Sequence, residues 1–403
     1  MKDIKQAFIY GYPIVGMYEL LSEQVLEKQL NINEFTHTAG LSTPETTFVP
    51  APNNDTTYSR AWLDLRGAPV VIEVPDTFDR FYSIQLLDMF SETIENVGKR
   101  TTGTRKQRFV IVGPLWKGDI PEGTHIVYSQ TVFVLAFLRI LIQNQEDIKN
   151  VEILQKQIAI IPMSKQSLDT LPVYRNNNYK EFFETLQAIL RLTPTLPQEQ
   201  EIVQDILSMS LDHIDDKECD EVLKLIDESG KEFGEEVNYW RIAREGIGNY
   251  GNDYFQRAVV WYKGALANQP EESLYPSTFQ DSEGNLLDGH NCYRLTFSNG
   301  DMPPVSQFWS LTMYIFENGF LSQNEINRYS IGDRTANIHY EKDGSLILYI
   351  QNQKPTHEYE LSNWLPAPLG KFYMTLRLYG PSQDAVIGNW APPAVIKVGH
   401  SRE

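Results

Sequence analysis

The sequence predicts a mainly β protein of the α+β class, built as two antiparallel β-sandwich or jelly-roll-like modules joined by a helical segment. Short apolar runs of period two, divided by Pro and Gly, fill residues 36–145 and return over 271–403. Between them, over 146–270, apolar residues recur three or four apart, which is helical spacing. A 12% aromatic content with 21 Tyr, together with 22 Pro, also leans toward pleated, turn-rich structure. At 403 residues, the chain has length for two or three units, each large enough to bury a core.

Residues 1–35 place Ala7, Phe8, Ile14, Val15, Tyr18, Leu21, Val25 and Leu26 on one face, predicting an amphipathic helix that Gly11 and Pro13 break near its start. In 36–145, strands are expected at Thr57–Leu65, Pro69–Val74, Arg80–Met89, Arg108–Val112 and His125–Leu138. The 146–270 segment reads as helices at Tyr179–Leu192, Pro197–Met209, Glu218–Gly246 and Asp253–Ala267, its acid runs forming solvated faces. Strands return at Cys292–Phe297, Phe308–Phe316, Asn337–Tyr340, Ser345–Gln351, Phe372–Tyr379 and Ala394–Val398. Asn299-Gly300 and Asp343-Gly344 read as hairpin turns, since both pairs accept positive φ.

With 53 acidic against 35 basic residues, the formal net charge is −18. A field of that sign repels phosphate backbones and anionic membrane surfaces, so neither nucleic acid nor membrane is an expected partner. A small-molecule ligand is expected instead, with a homo-oligomer left open. The two cysteines, Cys219 and Cys292, do not make a disulfide framework, and Met1–Ile14 lacks an apolar signal core. A cytoplasmic protein is the expectation.

The sequence contains no Walker loop, G-x-S-x-G, H-E-x-x-H or C-x-x-C. Gly246-Ile247-Gly248-Asn249-Tyr250-Gly251 matches the letters of the dinucleotide fingerprint, but its helical surroundings read as a helix-to-helix turn. The seven histidines, at 37, 125, 213, 290, 339, 357 and 400, never stand at i,i+2 or i,i+4. Asp281 to Asp288 lacks the spacing of a calcium loop and reads as a hairpin turn. Neither a cofactor nor a metal is expected.

The most unusual stretch is Pro50-Ala51-Pro52-Asn53-Asn54-Asp55-Thr56-Thr57-Tyr58, a proline-set entry running straight into a strand. Its Asn and Asp either close an Asx turn or project into a cavity, with Asn53 and Thr56 orienting a ligand and Asp55 acting as base. Alternation places Tyr58, Arg60, Trp62 and Asp64 on one strand face and Ala61, Leu63 and Leu65 on the other. In Arg80–Asp88, Tyr82 and Asp88 share a face and Gln85 takes the other. Asp55 and Asp88, flanked by Tyr58 and Tyr82, would form an acid/base pair if burial moved them apart in pKa. Towards the C-terminus, Trp309, Leu311 and Met313 oppose Ser310, Thr312 and Tyr314. Thr375, Arg377 and Tyr379 form the wetter face against Met374, Leu376 and Leu378. Arg328 and Arg377 are positioned to clamp a carboxylate or phosphate, or else to form structural ion pairs.

Taken together, Ala7–Pro13, Pro52–Tyr58, Val74-Pro75-Asp76 with Arg80–Asp88, Phe308–Tyr314, Asn327–Gly332, and Asn363–Pro368 with Leu376–Tyr379 are specific. Through them the chain resembles a tandem of the domain-of-unknown-function families number 1254, in the N-terminal half, and number 1214, in the C-terminal half. The resemblance implies two β-sandwich or jelly-roll-like modules with a helical region between them, and implies no reaction.

Two functional readings stand. The first is a small-molecule enzyme of acid/base, hydrolytic type, with a polar and aromatic cleft near the 53–58 loop. Asp55 or Asp88 would move the proton, Tyr58, Tyr82, Gln85 and Tyr314 would line the site, and Arg328 or Arg377 would bind an anionic group. The second is a non-catalytic glycan-binding or oligomeric assembly protein, with Trp62, Tyr58 and Tyr314 anchoring contacts.

Overall fold

A computed structural model of the chain describes residues 3–47, 50–120, 122–164 and 171–400, the side chain of residue 400 excepted. Met1 and Lys2, expected at the start of the first helix, and the His400 side chain lie outside these.

The first helix, Ile4–Leu21, starts where the Asp3 carboxylate accepts the Gln6 amide at 3.2 Å. It does not break at Gly11 and Pro13. It runs through both and ends in a π-type turn, Ser22–Glu27. Packing explains the difference, because the helix is enclosed by others. A Cβ on Gly11 would stand 2.4 Å from Leu186 Cδ2, and one on Gly16 2.4 Å from Trp261 Nε1. These contacts with the Tyr179–Leu190 and Tyr254–Gly264 helices compensate for the bond that proline removes. Helix Asp216–Glu232 completes the layer, which shares a core with Trp62, Leu87, Phe133 and Leu135 on the outer face of the first sheet.

That sheet has five strands in the order Thr36–His37, Thr56–Asp64, Phe133–Leu141, Tyr82–Asp88, Thr93–Gly98. Its other face meets a four-stranded sheet ordered His125–Tyr128, Gln107–Val112, Val70–Val74, Ala159–Pro162. Leu63, Ile84 and Leu138 from one sheet and Val70, Ile72 and Phe109 from the other fill the space between.

The C-terminal part repeats this arrangement of facing sheets. A seven-stranded sheet runs Glu235–Val237, Trp240–Ile242, Ser277–Thr278, Phe372–Pro381, Val305–Ile315, Ser330–Gly332, with Ser273–Leu274 also on Phe372–Pro381. Facing it is a four-stranded sheet ordered Trp364–Pro366, Leu346–Gln351, Asn291–Phe297, Ile396–His400. Leu295, Phe297, Trp309, Leu311, Met374 and Leu376 close the core between them. Pairing is antiparallel except for Gln107–Val112 with His125–Tyr128 and Leu346–Gln351 with Trp364–Pro366.

The expected mainly β, α+β fold is therefore present, with four corrections besides that of the first helix. His125–Leu138 is two strands, split by a turn in which Ser129 Oγ donates to the Thr131 carbonyl. The expected helix Glu218–Gly246 stops at Glu232. Phe233 turns extended, Gly234 takes φ +92°, and a hairpin over 235–242 follows, its alternation hidden by the surrounding acid run. Asn299-Gly300 forms a tight turn, but Asn291–Phe297 and Val305–Ile315 enter different sheets, so it is no hairpin. Residues 337–340 are not a strand. No helix of the described residues is long and apolar enough to cross a membrane.

Candidate functional site

The proline-set entry lies where the two halves meet. Asn53 Oδ1 accepts the amides of Asp55 at 2.6 Å and Thr56 at 3.1 Å, so the Asx turn foreseen as one alternative is present. The same side chain also reaches across the seam, where Asn53 Nδ2 donates to Tyr379 Oη at 2.6 Å. Tyr314 Oη donates to the Pro52 carbonyl at 2.9 Å, and Arg377 Nη2 to the Ala51 carbonyl at 3.1 Å.

Strand alternation accounts for these contacts. Trp309, Leu311 and Met313 point into the C-terminal core, so Ser310, Thr312 and Tyr314 must face the N-terminal sheets. Ser310 pairs with Arg377 in the ladder. Arg377 Nη1 donates to Thr312 Oγ1 at 2.8 Å, and Nη2 to Tyr314 Oη at 2.6 Å. The Arg377 face is not the wetter one expected, since the side chain is 4% exposed because the seam covers it. Burial opposes its charge, yet the surrounding Tyr314, Tyr379, Asp55 and Tyr58 hold its pKa above the ordinary value.

Asp55 is the centre of the seam. Its Oδ2 accepts Ser310 Oγ at 2.5 Å and its Oδ1 accepts Arg334 Nη2 at 2.5 Å. Arg334 also donates to the Ile142 carbonyl at 3.2 Å and lies 4.4 Å over the Phe308 ring. The carboxylate is 1% exposed and the guanidinium 24%. A cleft of about 290 Å³ opens above this pair, walled by Asn54, Ile142, Ser330 and Thr335. Asp333, exposed as a residue, accepts the Trp309 amide at 3.3 Å. Burial of its carboxyl pushes its pKa up to about 6 against that bond and the Arg334 charge.

Asn53, Asp55, Thr56, Tyr58, Tyr314 and Arg377 thus fall on one seam. Tyr58 stands on its outer strand face, stacked on Phe137 at 5.2 Å. Four expected site residues do not join them. Asp88 pairs with Val134, whereas Asp55 directly precedes Thr56, which pairs with Leu141, so the register separates the carboxylates by about 25 Å of sheet. Tyr82 is core, its hydroxyl donating to the Gly103 carbonyl at 3.2 Å. Gln85 binds Thr93 Oγ1 and the Ala267 carbonyl and accepts from Arg139. Arg328 is spent on the carbonyls of Leu361, Ser362 and Trp364. The arginine at the cleft is Arg334, which sequence reasoning missed because Gly332-Asp333-Arg334-Thr335 reads as a turn. Ser310 was visible only as a strand parity.

Asp88 belongs to a second buried polar centre. Its Oδ1 accepts the Phe90 amide at 2.8 Å and the Glu92 amide at 3.0 Å, closing the turn after its strand. Burial, then the nearby Glu92 charge, push its carboxyl up to about 7 against those amides and Arg257. Arg257 is 1% exposed and lies over the rings of Tyr10, Phe90 and Tyr254 at 5.3, 5.6 and 5.1 Å. Glu92 and Glu199 are also pushed up, chiefly by burial, and Glu199 accepts the Tyr10 hydroxyl at 3.1 Å. The Gly246–Gly251 loop follows a strand, Trp240–Ile242, and opens a helix, contrary to the helix-to-helix expectation. Its Tyr250 amide donates to the Glu92 carboxylate at 2.9 Å, which ties the loop to this polar centre.

Residues 32–162 match the family described as Protein of unknown function (DUF1254), and residues 272–383 match Protein of unknown function (DUF1214). The chain carries both domains in tandem. The VPA0106 protein of Vibrio parahaemolyticus is similar in structure at 25% identity and TM-score 0.78, with 98% of each chain covered. A putative uncharacterized protein from Burkholderia cenocepacia is similar in fold at 12% identity and TM-score 0.50, over 98% of this chain and 88% of that one. None of the curated proteins matches the chain. In this DUF1254–DUF1214 tandem, Asp55 comes from the first family segment, and Ser310, Arg334 and Arg377 from the second. The seam therefore needs both. Trp62 and Tyr314, expected as anchors for a partner, are both 0% exposed inside the chain and present no surface to one.

Proposed function

We propose that the DUF1254–DUF1214 tandem is a small-molecule enzyme of acid/base type, hydrolytic in its simplest form, working in the seam cleft. The observation that carries the reading is the Asp55 carboxylate of one domain holding Ser310 and Arg334 of the other beneath that cleft. An apolar seam would avoid the desolvation that such a pair costs. Of the two charges, only the guanidinium reaches solvent. An anionic substrate draws Arg334 towards itself, which leaves Asp55 free to accept a proton from Ser310 Oγ or from water beside it. Asn54, Ser330 and Thr335 supply neutral hydrogen-bonding groups around the substrate. This reading places the enzyme in the cytoplasm, a compartment that keeps cysteines such as Cys219 and Cys292 out of disulfides.

The test is a turnover screen over carboxylate-bearing esters, amides and phosphoesters, run with wild type, Asp55→Asn and Ser310→Ala. Loss of turnover in both variants, with folding retained, supports the assignment. Undiminished turnover by Asp55→Asn removes it.

A further inference from the structure

In a chain with an excess of acids, one concave site is rich in cations. A pocket of about 440 Å³ lies between the Tyr254–Gly264 helix, the hairpin over 235–242 and the Ser277–Thr278 strand. Lys231, Arg241 and Lys263 line it against a single carboxylate, Glu236. The volume is that of a small-molecule site.

Two of the cations are engaged. Lys231 pairs with Asp227 at 2.6 Å, and Arg241 with Glu236 at 3.0 Å and the Gly234 carbonyl at 3.1 Å. Lys263 makes no ion pair with a described residue. Asp227, whose carboxylate feels the Lys263 charge, is already held by Lys231 and by the Tyr262 hydroxyl at 3.0 Å. The Lys263 stem crosses Gly230, where a Cβ would stand 2.7 Å from Lys263 Cδ, so a bare glycine lets the lysine lie along the pocket edge.

The rest of the wall is largely apolar, with Phe233, Tyr239, Tyr275 and Phe279 as its aromatic part. Phe279 is 40% exposed, although it stacks on Tyr373 at 4.9 Å. Tyr239 is held there at a backbone cost. Val237 pairs with Trp240, so Asn238 and Tyr239 form a two-residue turn with φ of 53° and 65°. Glycine takes the second of those positions without strain, and tyrosine does not. The ring that the strain retains faces the pocket.

We infer that this pocket binds an amphipathic carboxylate, its apolar body among Phe233, Tyr239, Tyr275 and Phe279 and its charge on Lys263. A single available cation suits a monoanion, and an aromatic wall suits an acyl chain or aryl ring. The site is separate from the Asp55 cleft and stands whether or not that cleft is catalytic.

The experiment is calorimetric titration of the full chain with octanoate and, as its neutral counterpart, octanamide. Octanoate is expected to bind about tenfold more tightly, the difference one ammonium contact accounts for. Lys263→Met is expected to erase the preference and leave octanamide binding unchanged. Tyr239→Gly relieves the turn, so it is expected to raise the melting temperature while weakening octanoate. Absence of octanoate binding, equal binding of octanamide, or an unchanged preference in a folded Lys263→Met or Lys263→Gln protein would each overturn the proposal.

Discussion

Asp55 accepts the Ser310 hydroxyl at 2.5 Å across 255 residues of sequence, and the same carboxylate pairs with Arg334, 279 residues away. The two partners of this ion pair are unequal in what they leave behind. Arg334→Ala abandons a carboxylate that is 1% exposed, whereas Asp55→Ala abandons a guanidinium that is 24% exposed and can turn to water. Arg334→Ala is expected to cost about 3–5 kcal/mol and Asp55→Ala distinctly less. Urea unfolding of both variants checks the order.

Gly332 links backbone geometry to this pair. It faces Ser310 in the ladder, and a Cβ there would lie 2.1 Å from the Trp309 carbonyl. Gly332→Ala is expected to push its strand off the Val305–Ile315 strand and carry Arg334 away from Asp55. Any ligand found for the cleft should weaken in this variant by as much as in Arg334→Ala. Full affinity in a folded Gly332→Ala protein would contradict the coupling.

Tyr379→Phe tests the other side of the seam. It removes a hydroxyl that is buried and leaves Asn53 Nδ2 without that acceptor. A cost of about 1–3 kcal/mol is expected by chemical denaturation, because an unmade buried hydrogen bond forfeits the desolvation of its remaining partner.

The second polar centre sets a pH dependence. Asp88 is pushed up to about 7 when folded, above the ordinary 3.8. Between those values the folded state holds the extra proton, so this group makes stability fall as pH rises from about 4 to about 7, by at most about 1.4 kcal/mol per pH unit. Asp88→Asn keeps an oxygen for the Phe90 and Glu92 amides and should flatten that slope. Melting temperatures at pH 5 and pH 8 for both proteins read it directly, and parallel slopes would refute it.

Arg257 offsets the same carboxylates. Its removal in Arg257→Met leaves Asp88, Glu92 and Glu199 without the cation that lowers all three. Those groups are costly when ionised, so the variant should lose more stability at pH 8 than at pH 5. Equal losses at the two pH values would show that the guanidinium matters only for packing.

Strand faces were legible along the chain. The parities of Trp309, Leu311 and Met313 against Ser310, Thr312 and Tyr314, and of Met374, Leu376 and Leu378 against Thr375, Arg377 and Tyr379, are those of the structure. The Asx turn at Asn53 was legible too, since it is closed by amides two and three residues away. Helix Ile148–Gln157 and strand Thr93–Gly98 were not, because Lys, Asn, Glu and Gln interrupt the apolar residues of the helix, and Glu and Asn those of the strand. The continuity of the first helix through Pro13 was equally hidden, being settled by Leu186 and Trp261 from other helices.

The sequence by itself determined the class of fold, the two families in tandem and the face on which each polar strand residue would stand, because side-chain alternation is local. Only the tertiary structure decided where those faces went. It buried Arg377, expected to be wet, in the seam, parted Asp88 from Asp55 by strand register, and brought Arg334 out of an ordinary turn onto Asp55. The physical reason is that a buried charge must find its partner in space, and nothing in the residues beside Asp55 specifies one 279 positions away.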